Sequence, residues 1–309
     1  FAFSEGVNFI DVAEMYPVPP MGATQGLTES YVGSWLSKQN RDSVILATKV
    51  TGPGRKFDWI RGGPRAIDLE NITLAVEASL ARLQTDYIDL YQIHWPDRYV
   101  PNFGEWSYDP DKIRPTVSIE TQLMALKKHV EAGKIRYIGL SNETPWGIME
   151  FVRVAKENSL PVIVSTQNAY SLLNRSFETN LTEVSSNLDV PLLAYSPLAF
   201  GYLTGKYLSG QIDKKARLSL FPQFGGRYSK TNVKPATEAY CDLAKKYSLS
   251  PSQVALAFVN SRWFVASNII GATTLEQLKS NIESTNIKLS ADLLDDIDRV
   301  HLQFTNPAV

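Results

Sequence analysis

Asp86-Tyr87-Ile88-Asp89-Leu90-Tyr91-Gln92-Ile93-His94-Trp95-Pro96 is a short, largely apolar run that ends on a histidine and is closed by a proline. A run of that length and character is what a strand buried on both faces requires. The same form recurs on either side of it. Val7–Asp11, Val44–Lys49, Tyr87–His94, Tyr137–Ser141, Val162–Gln167, Leu192–Ser196 and Val265–Ile270 all read as strands. Longer amphipathic stretches separate them, with helix starts at Thr28-x-x-Tyr31, Asp68-Leu69-Glu70, Ser118-Ile119-Glu120 and Ser290-Ala291-Asp292. Alternating strands and helices make parallel βα units, so the chain is expected to be one α/β domain over residues 1–309.

A closed (β/α)8 TIM barrel needs eight strands, and seven are legible. Phe1 to Glu5 resemble the tail of a helix, and there is no initiator Met and no signal-peptide n-region. The expectation is therefore a barrel that lacks, in this chain, its N-terminal hairpin and first strand. A doubly wound sheet is the alternative, but no Gly-x-Gly-x-x-Gly turn follows any early strand. Gly201 to Lys206 imitates a phosphate loop with its glycines four apart and Tyr207 in the Ser/Thr place, and is rejected.

Composition narrows the class of function. The 309 residues are 44% hydrophobic, as in a soluble globular protein. With 31 basic and 32 acidic residues the net charge is −1. That excludes the basic excess that nucleic-acid or acidic-membrane binding calls for. No apolar run reaches the roughly 18 residues of a spanning helix. The one cysteine, Cys241, excludes an intramolecular disulfide framework and suits a reducing compartment, the cytoplasm first. The expected loss of the N-terminus leaves organellar targeting open. His94, His129 and His301 are too far apart in sequence to suggest a metal site.

Three polar residues terminate apolar strands at the end where β/α barrels gather their active sites: Asp11, Lys49 and His94. Tyr16 follows Asp11 by five residues, near enough to fold over the barrel mouth. Each has a plain reading, as a cap, a snorkelling lysine or a packed histidine. Together they suggest more, because a lysine ending an apolar strand is costly unless a carboxylate lies near, and Asp11 is the obvious partner. The chemistry suggested is proton donation to a carbonyl during hydride transfer. A tyrosine, with an ordinary pKa near ~10, would be assisted by a neighbouring Lys⁺ that lowers it.

The motifs resemble those of the aldo-keto reductase family, closest to its Tas-like branch and to the potassium-channel β-subunit relatives. Gly6-Val7-Asn8-Phe9-Ile10-Asp11-Val12-Ala13-Glu14-Met15-Tyr16 is similar to the family's Asp/Tyr signature. Ala47-Thr48-Lys49, the run ending in His94, and Gly133-Lys134-Ile135-Arg136-Tyr137-Ile138-Gly139-Leu140-Ser141-Asn142 resemble its next strands. Asn168 to Arg175 and Ile269 to Thr274 carry the branch placement. The resemblance spans essentially the whole chain. It implies an NADPH-dependent reductase of aldehydes or ketones, with Tyr16 as proton donor and Asp11, Lys49 and His94 beside it. It also implies a cofactor site. Ser141, Asn142 and Gln167 match the positions that hold the carboxamide, and Tyr195 the ring that stacks on the nicotinamide. Ser196, Pro197, Leu198, Gly201, Leu203 and Lys206 match the pyrophosphate loop. Arg217 matches an arginine that reaches the 2′-phosphate side. Gly271, Thr273, Gln277 and Asn281 match the adenosine site.

One departure weakens the preference for NADPH. Many relatives have Lys or Arg just after the last strand's glycine, where this chain has Thr273-Thr274, so the 2′-phosphate falls to Lys206 and Arg217. For the substrate, Trp95 and Tyr99 are expected in the loop Trp95–Thr116, whose other aromatics serve a pocket or pack the loop itself. Cys241 is expected to be a small buried apolar residue. A small carbonyl compound is the implied partner, with no nucleic acid and no membrane, and homo-oligomerisation left open. Two rivals remain. A channel-β-like cofactor sensor with little turnover would keep the same four residues. A glycosidase would need paired carboxylates roughly 5–9.5 Å apart, and only Asp11 ends a strand.

Overall fold

The computed structural model of the protein describes residues 1–63, 66–208 and 213–309. The run that ends on His94 forms β3 (Ile88–Ile93), buried at every position. It pairs in parallel with β2 (Ile45–Val50) and β4 (Ile135–Ser141). Outward from these, β1 (Phe9–Asp11), β5 (Ile163–Ala169), β6 (Leu192–Tyr195) and β7 (Val265–Asn268) complete one parallel sheet whose strands run in sequence order.

Helices α1 (Leu27–Leu36), α2 (Leu69–Leu83), α3 (Ile119–Glu131), α4 (Pro145–Glu157) and α5 (Phe177–Leu188) connect successive strands. After β6 come a 3-10 stretch (Ala199–Thr204), a short α6 (Arg217–Leu220), α7 (Val233–Lys246) and α8 (Pro251–Asn260). α9 (Leu275–Glu283) and α10 (Ala291–Gln303) follow β7. The anticipated starts have a local cause. Asp68, Ser118 and Ser290 each accept the backbone N–H three residues on, from Asn71, Thr121 and Leu293. Such a cap contributes about 1 kcal/mol.

One contact shows that the sheet curls. Gln167 on β5 donates through Nε2 to Asp11 Oδ1 on β1 at 2.8 Å. Four strand spacings in a flat sheet would put these strands roughly 19 Å apart. The interior is therefore enclosed and stacked in layers. Ala47, Leu90 and Leu193, with Phe9, Val164 and Ile269, form an apolar plug. Two residues further along, the side-chain period of a strand brings Asp11, Lys49 and Gln92 to the next layer, toward the C-terminal ends, and Gln167, three residues past Val164 across an irregularity in the β4–β5 register, joins them. Among the described residues β1 and β7 are not paired with each other.

The observed strands differ from the expected ones by one or two residues at their ends. β3 stops at Ile93, and His94 donates its backbone N–H to Val50 O at 3.0 Å just beyond it. β1 begins at Phe9 instead of Val7, because a 3-10 turn (Phe3–Glu5) closed by Gly6 in the left-handed region feeds it.

Candidate active site

Lys49 is wholly buried, and its ammonium donates to Asp11 Oδ2 at 2.6 Å and to the carbonyl of Val12 at 2.8 Å. It does not reach the surface. Burial pushes its pKa below the usual lysine value, and Asp11 is the main force opposing that shift. Asp11 in turn accepts from Gln92 Nε2 at 3.2 Å and Gln167 Nε2 at 2.8 Å. The pair is thus buried and hydrogen-bonded, the condition under which such a pair is tolerated.

Tyr16 lies over this pair. The Lys49 ammonium is 5.2 Å from its ring centre, and the His94 ring meets it edge-on at 5.6 Å between centroids. The expected lowering of the Tyr16 pKa is not what the structure shows. Burial drives it well above the ordinary tyrosine value, Asp11 and Tyr195 add to the rise, and Arg217 opposes it. Desolvation, the largest cause, decides the sign. The hydroxyl keeps its proton. His94 moves the other way: burial first, then the charges of Lys49 and Arg55, hold it far below the usual histidine range, so it is neutral. Its buried Nδ1 has no hydrogen-bond partner among the described residues.

A polar cluster adjoins these four. Ser141 Oγ donates to Gln167 O at 2.8 Å. Asn142, in the left-handed region at φ 54°, donates to His94 O at 2.8 Å and to Ser141 Oγ at 3.1 Å. Tyr195, ending β6, donates its hydroxyl to Asn142 Oδ1 at 2.7 Å. Ser141, Asn142, Gln167 and Tyr195 are thus knitted to one another and, through His94, to the charged cluster.

Beyond Tyr195 the chain holds Ser196, Ala199 and Phe200 at positive φ, a strained backbone of the kind found at ligand clamps. Pro197, Leu198, Gly201 and Leu203 lie in this stretch, and Lys206 follows it. Lys206 and Arg217 converge here. Arg217 lies 4.9 Å over the Phe200 ring, and after burial its charge is the main cause lowering the Lys206 pKa. At the end of β7, Thr273 donates through its backbone N–H (3.0 Å) and hydroxyl (3.1 Å) to Gln277 Oε1. Asn281 Nδ2 reaches Gly271 O at 3.4 Å. These four therefore share one rim site at the start of α9, whose cap is Thr274.

Trp95 is buried, donates to Pro53 O at 2.8 Å and packs 5.0 Å from the His94 ring. With Tyr99, Phe103, Arg55 and Arg227 it lines a cavity of about 420 Å³. Trp106 and Tyr108 face solvent instead. Asp97 is a loop anchor, accepting from Ile67 N, Thr116 Oγ1 and Val117 N at 2.6, 2.6 and 2.9 Å. Cys241 is buried, as expected of a packing residue.

Two contributors escape a reading of strand ends. Gln92 is a polar residue in the interior of an apolar strand, and that placement was the available signal. Arg55 lies in an irregular loop with no periodicity to mark it.

A parallel sheet curled around a buried Lys–Asp pair, with a tyrosine and a neutral histidine at its mouth, defines a class that comparison identifies. The chain belongs to the aldo/keto reductase family, a family of oxidoreductases, whose model matches residues 1–301. It is 52% identical over 309 residues to Protein tas of Escherichia coli, covering all of this chain and 89% of that one. It is 39% identical over 279 residues to an aldo-keto reductase of Babesia bovis, covering 85% and 98%. To norsolorinic acid reductase A of Aspergillus parasiticus it is 27% identical over 307 residues, covering 96% and 68%. The Tas-like placement holds. Among the described residues no helix is long and apolar enough to cross a membrane.

Proposed function

We propose that this protein reduces an aldehyde or ketone to the alcohol at the expense of NADPH, with Tyr16 as the proton donor. The observation that carries the reading is the buried Lys49–Asp11 pair set against the Tyr16 ring, with neutral His94 at its edge. Tyr16 holds its proton until the carbonyl oxygen gains charge, then donates it through its hydroxyl. Lys49 stabilises the phenolate left behind, and Asp11 keeps the lysine charged and in place. His94, uncharged, orients the carbonyl without competing for the proton. General acid catalysis of this kind contributes about 10²–10⁴-fold.

The residues fit a nicotinamide dinucleotide phosphate. Lys206 and Arg217 place two cations together beside a strained loop, a donor set suited to phosphate. Ser141, Asn142 and Gln167 would hold the carboxamide, and Tyr195 the nicotinamide face. Ser196, Pro197, Leu198, Gly201, Leu203 and Lys206 would hold the pyrophosphate, Arg217 with Lys206 the 2′-phosphate, and Gly271, Thr273, Gln277 and Asn281 the adenosine. When bound, NADPH supplies the hydride that adds to the carbonyl carbon and leaves as NADP⁺.

The test is steady-state NADPH oxidation with a panel of aromatic aldehydes, beside fluorescence titration with NADPH and NADH. Tyr16→Phe is expected to bind NADPH as the wild type does and to lose about 10²–10⁴ in turnover. Wild-type turnover in that variant would overturn the donor assignment. A single oxidation per chain in the wild type would favour a cofactor sensor.

A further inference from the structure

The cavity beside Trp95 carries more positive charge than its surroundings neutralise. Four arginines line it: Arg55, Arg98, Arg114 and Arg227. Arg98 is accounted for, since its guanidinium forks onto Glu143, reaches Thr144 Oγ1 at 3.0 Å and leans on Trp146. Among the described residues Arg114 donates only to a backbone carbonyl, that of Asp97, at 3.1 and 2.8 Å. Its remaining arm lies across Gly54, where a Cβ would come within 2.2 Å of Nη1. A side chain at position 54 would displace it.

Arg55 stands 4.0 Å over the Phe103 ring and 5.4 Å from Trp95, open to solvent at the cavity mouth. Arg227 lies against Gly104. Neither Arg55, Arg114 nor Arg227 has a carboxylate within ion-pair distance among the described residues. The one acid of the lining, Glu105, is bound to the Tyr99 hydroxyl at 3.0 Å and to Lys112 at 3.5 Å. Partial desolvation against the aromatic wall and then Arg227 lower the Arg55 pKa, while Tyr195 and Glu105 raise it.

Like charges held at one wall of an aromatic-sided cavity are relieved by an anion, and guanidinium forks match a carboxylate in shape as well as charge. The cavity is one ring away from the reacting groups, through Trp95 and its contact with His94. Its volume lies within the roughly 300–1,000 Å³ of small-molecule sites.

We propose that the carbonyl substrate is an anion: a flat, aromatic or conjugated aldehyde or ketone bearing a carboxylate, which is held by Arg55, Arg114 and Arg227. Its body packs against Trp95 and Phe103, and its carbonyl faces Tyr16 and His94. This rests on the reduction reading above, with NADPH as the reductant.

The test compares 4-carboxybenzaldehyde with its neutral isostere, methyl 4-formylbenzoate, on the protein with NADPH. The acid is expected to show a kcat/KM about 10-fold or more above the ester, and an advantage that shrinks as salt is raised. The double variant Arg55→Gln, Arg227→Gln is expected to lose that preference through a higher KM for the acid. Its NADPH affinity by fluorescence should be unchanged, and its kcat/KM for the ester should fall much less than that for the acid. Equal use of acid and ester by the wild type, or a preference surviving in the variant, overturns the proposal. So does a stronger preference for 4-formylphenyl phosphate, which would reassign the anion. If neither aldehyde turns over, the reduction reading fails on its own. Calorimetric titration with terephthalate then decides the anion site: binding that disappears in the double variant supports it, and no binding to the wild type overturns it.

Discussion

Lys49 has no route to water, so its charge exists only by virtue of Asp11 and the Val12 carbonyl. Lys49→Met would leave Asp11 buried with two glutamine donors and no cation. Removing one partner of a buried pair costs about 3–5 kcal/mol. Thermal melts should show that loss, whereas Tyr16→Phe, which removes a hydroxyl outside the pair, should melt close to the wild type. Melts that are alike for Lys49→Met and wild type would mean the pair is not coupled to the fold. The pKa directions give a second test. Tyr16 is raised, so the proton needed for reduction is lost only in strongly alkaline solution, and His94 is lowered, so it does not become charged until well below its usual range. The turnover of the reduction is therefore expected to stay level from about pH 6 to about pH 9. A decline centred between about 8 and 9 would mean instead that Lys49 does lower the tyrosine.

Elements are locked to one another where no side chain can yield. On α1, a Cβ at Gly33 would lie 2.2 Å from the carbonyl oxygen of Arg82 and 2.8 Å from the carbonyl carbon of Leu83, both backbone atoms at the end of α2. Alanine is the better helix former by about 1 kcal/mol. Overpacking against an immovable neighbour costs about 1–3 kcal/mol and wins. Gly33→Ala should lower the melting temperature by several degrees, and a variant as stable as the wild type would show that α1 can shift away. This contact is also a measure of what the sequence could disclose. Seven strands in order, and the starts of α2, α3 and α10, were legible because period and caps are local. Asp11, Lys49 and His94 were legible because a polar residue after an apolar run is conspicuous. Gly33 was not, since its constraint comes from a chain segment fifty residues away. Gln92 and Arg55 were hidden for a related reason: each owes its importance to other strands and loops curling toward it. The direction of the Tyr16 shift was misjudged because burial, which opposes the lysine, is not written in residue spacing.

At the scale of the molecule, all three histidines carry a depressed pKa, and burial is the first cause each time. They sit in unrelated places. His94 is at the sheet's mouth, His129 on α3 beside Thr73 (3.1 Å from its hydroxyl), and His301 on α10 with a buried Nδ1 that has no partner among the described residues. The unfolded chain takes up protons on all three as pH falls through about 6.5, while the folded chain resists. Stability is thus complete above about pH 6.5 and is lost as pH drops toward the lower folded values. The slope is about 1.4 kcal/mol per pH unit for each full proton of difference. His94, held well below the usual histidine range, should contribute alongside His129 and His301. The melting temperature is expected to fall between about pH 7 and about pH 5.5, above the range where most carboxylates titrate. His129→Gln with His301→Gln should remove only part of that fall, leaving the remainder to His94. A melting temperature that does not change across this interval would mean that the histidines become charged in the folded protein, and that the neutrality assigned to His94 is wrong.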